Sequence, residues 1–268
     1  MSMNKREETG VASKCGIVVP TLGTRSEYLE LCLRSIREAG DAHICVVAPD
    51  SVDLSRYLDL GLVDQRVSDP GTGLARAIDA GLRSFPEEIE FINWLGDDDL
   101  LRPESLSLTS QYLTSNPQVT MVFGSCDYIN STGEIIWRNR SGQWAVPLLR
   151  IGPCLIPQPG SLIRTQSYRE IGGLNFNYSW AFDFDLFIRL TKFGSVRFIP
   201  HTLAHFRWHE GSLSVDGRDG SVGEASQARR SHLPRLVKSI SPLWEVPVRV
   251  LTKYAGVYVG RRARQRQK

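Results

Sequence analysis

Three consecutive carboxylates, Asp97, Asp98 and Asp99, follow an apolar run that is typical of a buried strand. Ligands of open α/β sheets bind beyond the carboxyl ends of the strands, so we expect these side chains in the ligand crevice. Adjacent carboxylates raise one another's pKa unless a cation compensates their charge. Hard oxygen ligands beside a diphosphate suit Mg²⁺ or Mn²⁺. The motif therefore predicts a divalent metal site.

The alternative for these acids is structural, with one Asp capping a turn and the other two solvated. However, Pro103 already marks the start of the following helix, and Arg102 is the residue before it. Helix capping therefore does not account for three acids, and the metal interpretation is favoured.

Asp183 is the second candidate, within a predicted helix over residues 180–193. Helical spacing places Asp183 on an apolar face, whereas Asp185 points away and can pair with Arg189 four residues later. Asp183 is then either satisfied by the helix dipole or faces a cleft. A partly desolvated carboxylate is a suitable general base for a hydroxyl group.

Weaker candidates stand at the ends of the first two predicted strands. Thr21 follows Pro20 at the end of the first strand, and Asp50 follows the second strand. Strand ends supply ligand contacts in such sheets, although Thr and Asp are also ordinary turn residues. His205 and His209 are candidates only because a metal site is already predicted.

A glycine turn at residues 69–76 has two glycines but lacks the third glycine of a dinucleotide fingerprint. It also lacks the Gly-Lys-Ser/Thr of a phosphate loop, so neither a Rossmann oxidoreductase nor a kinase is supported. A helix that starts after such a turn can still meet a phosphate or a base, and Arg76 would reach it.

The elements that position these residues alternate in the first half of the chain, a pattern typical of βαβ units and a mostly parallel sheet. Strands are predicted at 15–20, 43–48, 62–67, 90–95 and 119–127, and helices at 27–39, 52–60, 73–85 and 103–115. Farther along, we predict helices at 168–171 and 180–193, a strand at 203–209, a mobile loop at 216–223 and an amphipathic helix at 248–259.

The 268 residues, 41% hydrophobic and 23% charged, fit a globular α/β protein and contain no apolar stretch of about 20 residues. We expect a flexible N-terminus at 1–14, a catalytic domain at 15–214 and a basic C-terminal extension at 215–268. Residues 1–14 lack the apolar core of a secretory signal, so a cytoplasmic location is expected. The five cysteines are far apart in the sequence and are expected to be reduced.

The C-terminal extension is strongly basic. Residues 229–268 contain eleven Lys and Arg against the single acid Glu245, which gives +10 and leaves about −7 elsewhere out of a net +3. Apolar residues beside clustered arginines predict an anchor at an anionic membrane surface, and a solvated tail is the alternative. Because no aromatic-interleaved motif accompanies the charge, nucleic acid is not an expected partner.

From Cys15 to Ser214 the order and spacing of these motifs resemble the family 2 glycosyltransferases of the GT-A fold. The resemblance is carried by Pro20-Thr21, Gly96-Asp97-Asp98-Asp99, Gln158-Pro159-Gly160-Ser161, Gly172-Gly173-Leu174, Phe182-Asp183-Phe184-Asp185-Leu186 and Ala204-His205-Phe206-Arg207-Trp208-His209. It implies a mostly parallel sheet flanked by helices, with the basic extension as a helical addition. It also implies an inverting transfer of sugar from a nucleotide-diphosphate donor to a saccharide or lipid-linked glycan acceptor, in cell-surface glycan or polysaccharide synthesis.

The same resemblance assigns roles to individual residues. Asp183 is similar to the catalytic base, while Asp98, Asp99 and His209 are similar to the residues that hold Mg²⁺ or Mn²⁺. The donor nucleotide and sugar would be bound by a further set of residues, Pro20, Thr21, Asp50, Arg76 and Asp97. The chain departs from the family pattern at Leu22-Gly23, at Ala48-Pro49-Asp50 and at Gly96, where the family has the first acid of its longer Asp motif. A noncatalytic nucleotide-sugar or carbohydrate-binding module on this scaffold is the alternative.

Overall fold

The structure is a computed structural model, and it describes residues 14–139, 141–208 and 218–248 together with 250, 254, 257 and 258. The proposed metal ligand His209 and the final arginine-rich run lie outside the described residues, as do residues 1–13 of the N-terminus.

The first half of the chain alternates strands and helices as predicted. Its strands are β1 (Cys15–Pro20), β2 (His43–Ala48), β3 (Gln65–Ser68), β4 (Phe91–Trp94) and β5 (Leu100–Leu101). Its helices are α1 (Ser26–Ala39), α2 (Ser55–Asp59), α3 (Leu74–Ser84) and α4 (Ser105–Ser115). The predicted helix at 52–60 is wrong at both ends, because α2 forms only five residues.

The second half contributes longer strands and the helix of the predicted base. Its strands are β6 (Val119–Ile129), β7 (Ile135–Arg138), β8 (Ser161–Arg164) and β9 (Ser195–Arg207). A 3₁₀ turn at Gly142–Trp144 leads into α5 (Ala145–Leu148), followed by α6 (Thr165–Glu170) and α7 (Phe182–Phe193). The C-terminal extension forms α8 (Arg218–Ser231), α9 (Arg235–Ile240) and helical backbone over 242–248.

Within the described residues, the strands form one nine-stranded sheet in the order β3-β2-β1-β4-β8-β6-β9-β5, with β7 paired to β6. Strands β1 to β4 are parallel to one another, and β6 is parallel to β9. Antiparallel pairing joins β8 to both β4 and β6, and it also joins β5 to β9. The α/β class is confirmed, and the sheet that was predicted to be mostly parallel is mixed.

Both faces of the sheet are buried under helices, as expected around its parallel strands β1 to β4. Alternation along β1 shows this directly, since Ile17 and Val19 pack into one apolar cluster and Val18 into the other. Helices α1 and α4 cover the first face, and α3 and α7 cover the second. The carboxyl ends of the parallel neighbours β1 and β4 lie side by side at one edge of this sheet.

The prediction of a mobile loop at 216–223 is wrong for the described part, because residues 218–223 belong to helix α8. The Gly, Ser and Asp residues that suggested a loop have low helix propensity. Farther along α8, Ala228 is fully buried in the core and Ala225 packs against it. Burial of this apolar face outweighs the local propensity.

Candidate functional site

Strands β1 and β4 end side by side at the edge where the sequence predicts ligand binding. These neighbouring strands are parallel, with Val18 opposite Trp94. The two chains therefore leave the sheet side by side, and the Thr21 hydroxyl donates a 2.6 Å hydrogen bond to Asp97 Oδ2. Both side chains are buried. A residue predicted from the end of the first strand thus contacts one predicted from the end of the fourth.

Arg25 is the counter-ion of the first two acids, and it was not among the residues predicted from the sequence. Its guanidinium donates to Asp97 Oδ1 at 2.7 Å and to Asp98 Oδ2 at 2.8 Å. Arg25 lies on the connection between β1 and α1, directly before the helix. Arg25 follows β1, and β1 is the neighbour of β4, the strand that leads to the acids. This position was the available indication of its role.

Asp99 has a different environment, set by the pairing of β5 with β9. That pairing places Leu100 opposite His205, and the backbone N–H of Arg207 donates to Asp99 Oδ1 at 2.9 Å. The Arg207 guanidinium donates to the backbone oxygen of Asp98 at 2.8 Å. Burial, and then the charge of Asp98, raise the pKa of Asp99 well above its usual range.

Gly96 leaves room between the acids. A Cβ atom at this position would lie 2.9 Å from Asp98 Oδ1 and 3.2 Å from Asp99 Oδ2. The first distance is shorter than van der Waals contact, so these two oxygens converge on space that any side chain at residue 96 would enter. An acid at this position would therefore require the Asp98 carboxylate to shift from its present place.

The carboxylates of Asp98 and Asp99 suit a hard divalent cation whose remaining ligands come from a bound substrate. Within residues 14–139, 141–208 and 218–248, no group of three or more His, Cys, Asp or Glu side chains is arranged to hold a metal ion. Mg²⁺ is commonly held by one or two carboxylates together with phosphate oxygens of the substrate. Asp98 and Asp99 above Gly96 supply that number of carboxylates.

Asp183 lies at the start of α7, as predicted, and the residue before it contacts β4. The ring of the preceding residue, Phe182, packs against Trp94 with centroids 6.1 Å apart. The side chain of Asp183 is partly buried, and its Oδ1 accepts the N–H of Phe184 at 2.7 Å. Burial raises the pKa of Asp183 to about 6, while backbone hydrogen bonds oppose the shift. Burial and then the charge of Asp183 raise the pKa of the Cys154 thiol.

Asp185 is occupied on the other side of α7. The predicted pair is confirmed, with Arg189 Nε donating to Asp185 Oδ2 at 2.7 Å. A second partner comes from the C-terminal extension, where His232 Nε2 lies 2.8 Å from Asp185 Oδ1. Although burial alone would raise it, the pKa of Asp185 is lowered by the hydrogen bond from His232 and by the charge of Arg189. Asp185 therefore links α7 to its neighbours, and both of its carboxylate oxygens are engaged in these contacts.

The remaining predicted residues lie around this edge. Pro20 ends β1 and pairs with Val47. Asp50 follows β2, is largely exposed, and accepts a 2.6 Å hydrogen bond from Ser68. Arg76 lies in the first turn of α3 and stacks on the Phe176 ring at 4.4 Å. His205 lies in β9, and burial lowers its pKa.

The segment Gln158-Pro159-Gly160-Ser161, which contributed to the family resemblance, is anchored on β4 beside the acids. Gln158 Nε2 donates to Asn93 Oδ1 at 2.9 Å and to the backbone oxygen of Trp94 at 2.7 Å. Ser161 Oγ donates to the backbone oxygen of Gln158 at 2.7 Å. These bonds hold the segment against the strand that carries the acidic motif.

Solved structures share this architecture at low sequence identity. The S. aureus TarS fragment 1–349 matches with a TM-score of 0.62 and 12% identity, over 89% of this chain and 72% of that one. The same fragment in complex with UDP matches with a TM-score of 0.59 and 13% identity, over 84% of this chain and 68% of that one. A third match is the mannosyltransferase PcManGT from Pyrobaculum calidifontis in complex with GDP-Man and Mn²⁺. Its TM-score is 0.64 at 16% identity, over 93% of this chain and 76% of that one.

Two curated relatives are also similar in sequence, whereas no protein-family model matches the chain. The O-antigen biosynthesis protein RfbC of Myxococcus xanthus is 24% identical over 170 residues, which are 62% of this chain and 13% of that protein. The 3-deoxy-manno-octulosonate cytidylyltransferase of Polynucleobacter asymbioticus is 26% identical over 140 residues, 49% of this chain and 55% of that one. The chain thus matches a small part of the first relative and about half of the second. The predicted resemblance is confirmed at the level of the fold: the chain has the GT-A fold of glycosyltransferases.

Proposed function

We propose that the protein transfers a sugar from a nucleotide-diphosphate donor to an acceptor hydroxyl in glycan synthesis. The observation that carries this proposal is Asp183, a carboxylate with a raised pKa whose neighbour Phe182 packs against the strand that leads to the three acids. The neighbours support a nucleotide-sugar donor, because TarS binds UDP and PcManGT binds GDP-Man. The relative named for O-antigen biosynthesis supports a glycan product.

In this proposal Asp183 removes the proton from the acceptor hydroxyl. A base works best when its pKa lies near the operating pH, and burial moves this carboxylate in that direction. The acceptor oxygen then forms its bond to the anomeric carbon as the bond from that carbon to the diphosphate oxygen breaks. Because there is a single displacement, the configuration of the sugar is inverted. Asp183 releases the proton to solvent after the product has left.

Asp98 and Asp99 would hold Mg²⁺ or Mn²⁺ above Gly96, with His209 as a further proposed ligand. A bound cation would neutralise the charge that develops on the departing diphosphate. The Mn²⁺ in the PcManGT complex supports this assignment. Arg25 bonds to Asp98 and would have to share this carboxylate with the cation or leave it.

Donor binding is assigned to the residues around the same edge. Thr21 fixes the carboxylate of Asp97, which would accept hydrogen bonds from sugar hydroxyls, and Pro20 would border the nucleotide. Asp50 is exposed and would accept from the ribose or the base. Arg76, held by its stacking on Phe176, would reach a phosphate or the base.

The C-terminal extension is proposed to lie at the cytoplasmic face of an anionic membrane, where a lipid-linked acceptor would be found. Large apolar side chains are exposed along it at intervals of three or four residues: Leu236, Ile240, Leu243, Val246, Val250, Tyr254 and Val257. This stripe lies within the +10 segment, so two copies would repel each other whereas an anionic surface attracts it. Among the described residues no helix is long and apolar enough to cross a membrane.

The deciding experiment is a screen of nucleotide sugars. Thermal shift with Mn²⁺ identifies the donor, because a ligand that binds only the folded state raises Tm. Release of nucleoside diphosphate in the presence of saccharide acceptors then measures transfer. A noncatalytic binding module would show the thermal shift without transfer or donor hydrolysis, and Asp183→Asn would not change its behaviour.

A further inference from the structure

A single carboxylate from the C-terminal extension accepts three backbone N–H groups directly before the helix of the base. Glu224 on α8 accepts from Ser179 at 3.0 Å, from Trp180 at 2.7 Å and from Ala181 at 3.1 Å. The N-cap residue of α7 is Ala181, which has no side chain that could cap the helix. Glu224 therefore satisfies, from 43 residues away, N–H groups that the local sequence leaves without a cap.

This arrangement matters because Asp183 is the second residue of the same helix. A carboxylate in the first turn of a helix is attracted to unpaired N–H groups and can reach back to the N–H of the cap residue. Asp183 already accepts one backbone N–H, that of Phe184. If the N–H of Ala181 were not bound by Glu224, Asp183 would be the nearest acidic alternative in the sequence.

Helix α8 is fixed along α7 by further contacts. Gly220 allows close approach, because a Cβ atom there would lie 2.9 Å from the indole ring of Trp180. Ala228 is buried in the core between the helices and the sheet. At the far end, His232 binds Asp185. Glu224 is therefore held in place by the whole length of its helix.

We propose that Glu224 is a positioning residue for the catalytic base. By binding the N–H groups of residues 179–181 it keeps the Asp183 carboxylate from becoming the cap of its own helix, and so leaves an oxygen directed at the acceptor. The proposal rests on the proposed function for its catalytic meaning, but the effect on Asp183 itself exists whether or not sugar transfer occurs.

The titratable and charged groups around Asp183 determine how a change at Glu224 affects the pKa of Asp183. The Cys154 thiol, on the segment between α5 and β8, lies within range of its charge. Asp185, with its partners Arg189 and His232, is on the other side of α7. Removing Glu224 withdraws one negative charge from the region and frees the N–H groups of residues 179–181, which end at the N-cap residue of α7. Both changes stabilise the ionised form of Asp183 and lower its pKa.

The test is a direct titration of Asp183 by ¹³C NMR of the aspartate carboxyl groups, with the resonance assigned by its loss in Asp183→Asn. We expect Glu224→Ala to lower the pKa of Asp183 by about 0.5 to 1 unit. In the transfer assay the same variant should lower kcat about tenfold with an unchanged KM for the donor, and it should move the acid limb of the pH profile downward. Glu224→Gln keeps one acceptor oxygen and should give an intermediate result.

One control separates positioning from general destabilisation. Glu170→Ala removes an exposed carboxylate bound to Gln166, outside α7, and should leave the pKa of Asp183 unchanged. An unchanged Asp183 pKa in folded Glu224→Ala overturns the proposal. A lowered pKa without transfer by the wild-type protein would instead contradict only the proposed function.

Discussion

The rings of Trp94 and Phe182 pack at a centroid distance of 6.1 Å, and this contact joins the two halves of the candidate site. Trp94 ends the strand that leads to the three acids, and Phe182 directly precedes Asp183. One buried aromatic pair therefore connects Asp183, the proposed base, to the strand that leads to the acids proposed to bind the donor.

Asp183→Asn should abolish turnover and preserve donor binding. The amide is close in shape to the carboxylate but cannot accept the proton, so kcat should fall by roughly 10² to 10⁴. The donor-induced rise in Tm should remain that of the wild type. If Asp183→Asn retained full kcat, Asp183 would not be the base.

Asp185→Asn should affect stability more than chemistry. Asp185 is buried and binds Arg189 and His232, so the amide weakens two charge-assisted hydrogen bonds. We expect a loss of about 1 to 3 kcal/mol in the free energy of unfolding, measured by urea denaturation. Below its Tm the variant should keep most of its kcat. Equal losses of kcat in folded Asp183→Asn and Asp185→Asn would contradict this division of roles.

The pH dependence follows from the raised pKa of Asp183. The base must be ionised, so kcat should fall as pH drops below about 6. The free energy of unfolding changes with pH in the opposite direction to kcat. Between about pH 4 and pH 6 the folded protein holds more protons at Asp183 than the unfolded chain, so its stability falls as pH rises through this window. Asp183→Asn lacks this contribution. Its stability relative to the wild type should therefore increase from pH 4 to pH 6, as measured by denaturation at each pH.

Gly96→Ala should weaken metal binding. The added Cβ would lie 2.9 Å from Asp98 Oδ1, so the carboxylates must move apart. We expect the affinity for Mn²⁺, measured from the EPR signal of the free ion, to fall by about tenfold or more, with a parallel loss in Asp98→Ala. Gly223→Ala is the matched control because its Cβ meets nothing within 4 Å. Full transfer activity in excess EDTA would refute the metal assignment.

Arg25→Gln should have the opposite effect on the metal. Removing the guanidinium takes away a positive charge that bonds both Asp97 and Asp98, and like charges compete for the same carboxylates. The variant should be less stable without metal, and Mn²⁺ should raise its Tm more than that of the wild type. An equal or smaller Mn²⁺-induced shift would show that Arg25 does not compete with the cation.

The C-terminal extension should bind anionic vesicles in a salt-sensitive manner. Removing the chain after Ser241 would also remove Glu245, which is buried and bonded to Arg230, so truncation is expected to disturb the fold. Replacing Leu243, Val246 and Val250 with Ser is a milder test, because these side chains are exposed. Vesicle sedimentation should fall severalfold while transfer to a soluble acceptor is retained. Equal sedimentation of variant and wild type at low salt would favour a solvated tail.

The sequence by itself determined the features that depend on local spacing. Apolar runs and helix periods located the first strands and helices, since each pattern matches the period of the element that it forms. The Asp185–Arg189 pair followed from a spacing of four residues, and the edge formed by Thr21 and Asp97 followed from the rule that parallel strands end together. The GT-A fold was predictable because several such motifs occur in a fixed order.

Only the tertiary structure decided which distant groups meet. Arg25 and Asp97 are 72 residues apart, and no local pattern specifies that a guanidinium after β1 will bridge two acids after β4. Glu224 directly follows the segment predicted to be a loop, and burial of Ala225 and Ala228 in α8 carries its carboxylate to the start of α7. The physical reason is the same in both cases: these contacts are set by packing between elements, and packing depends on side chains far apart in the sequence.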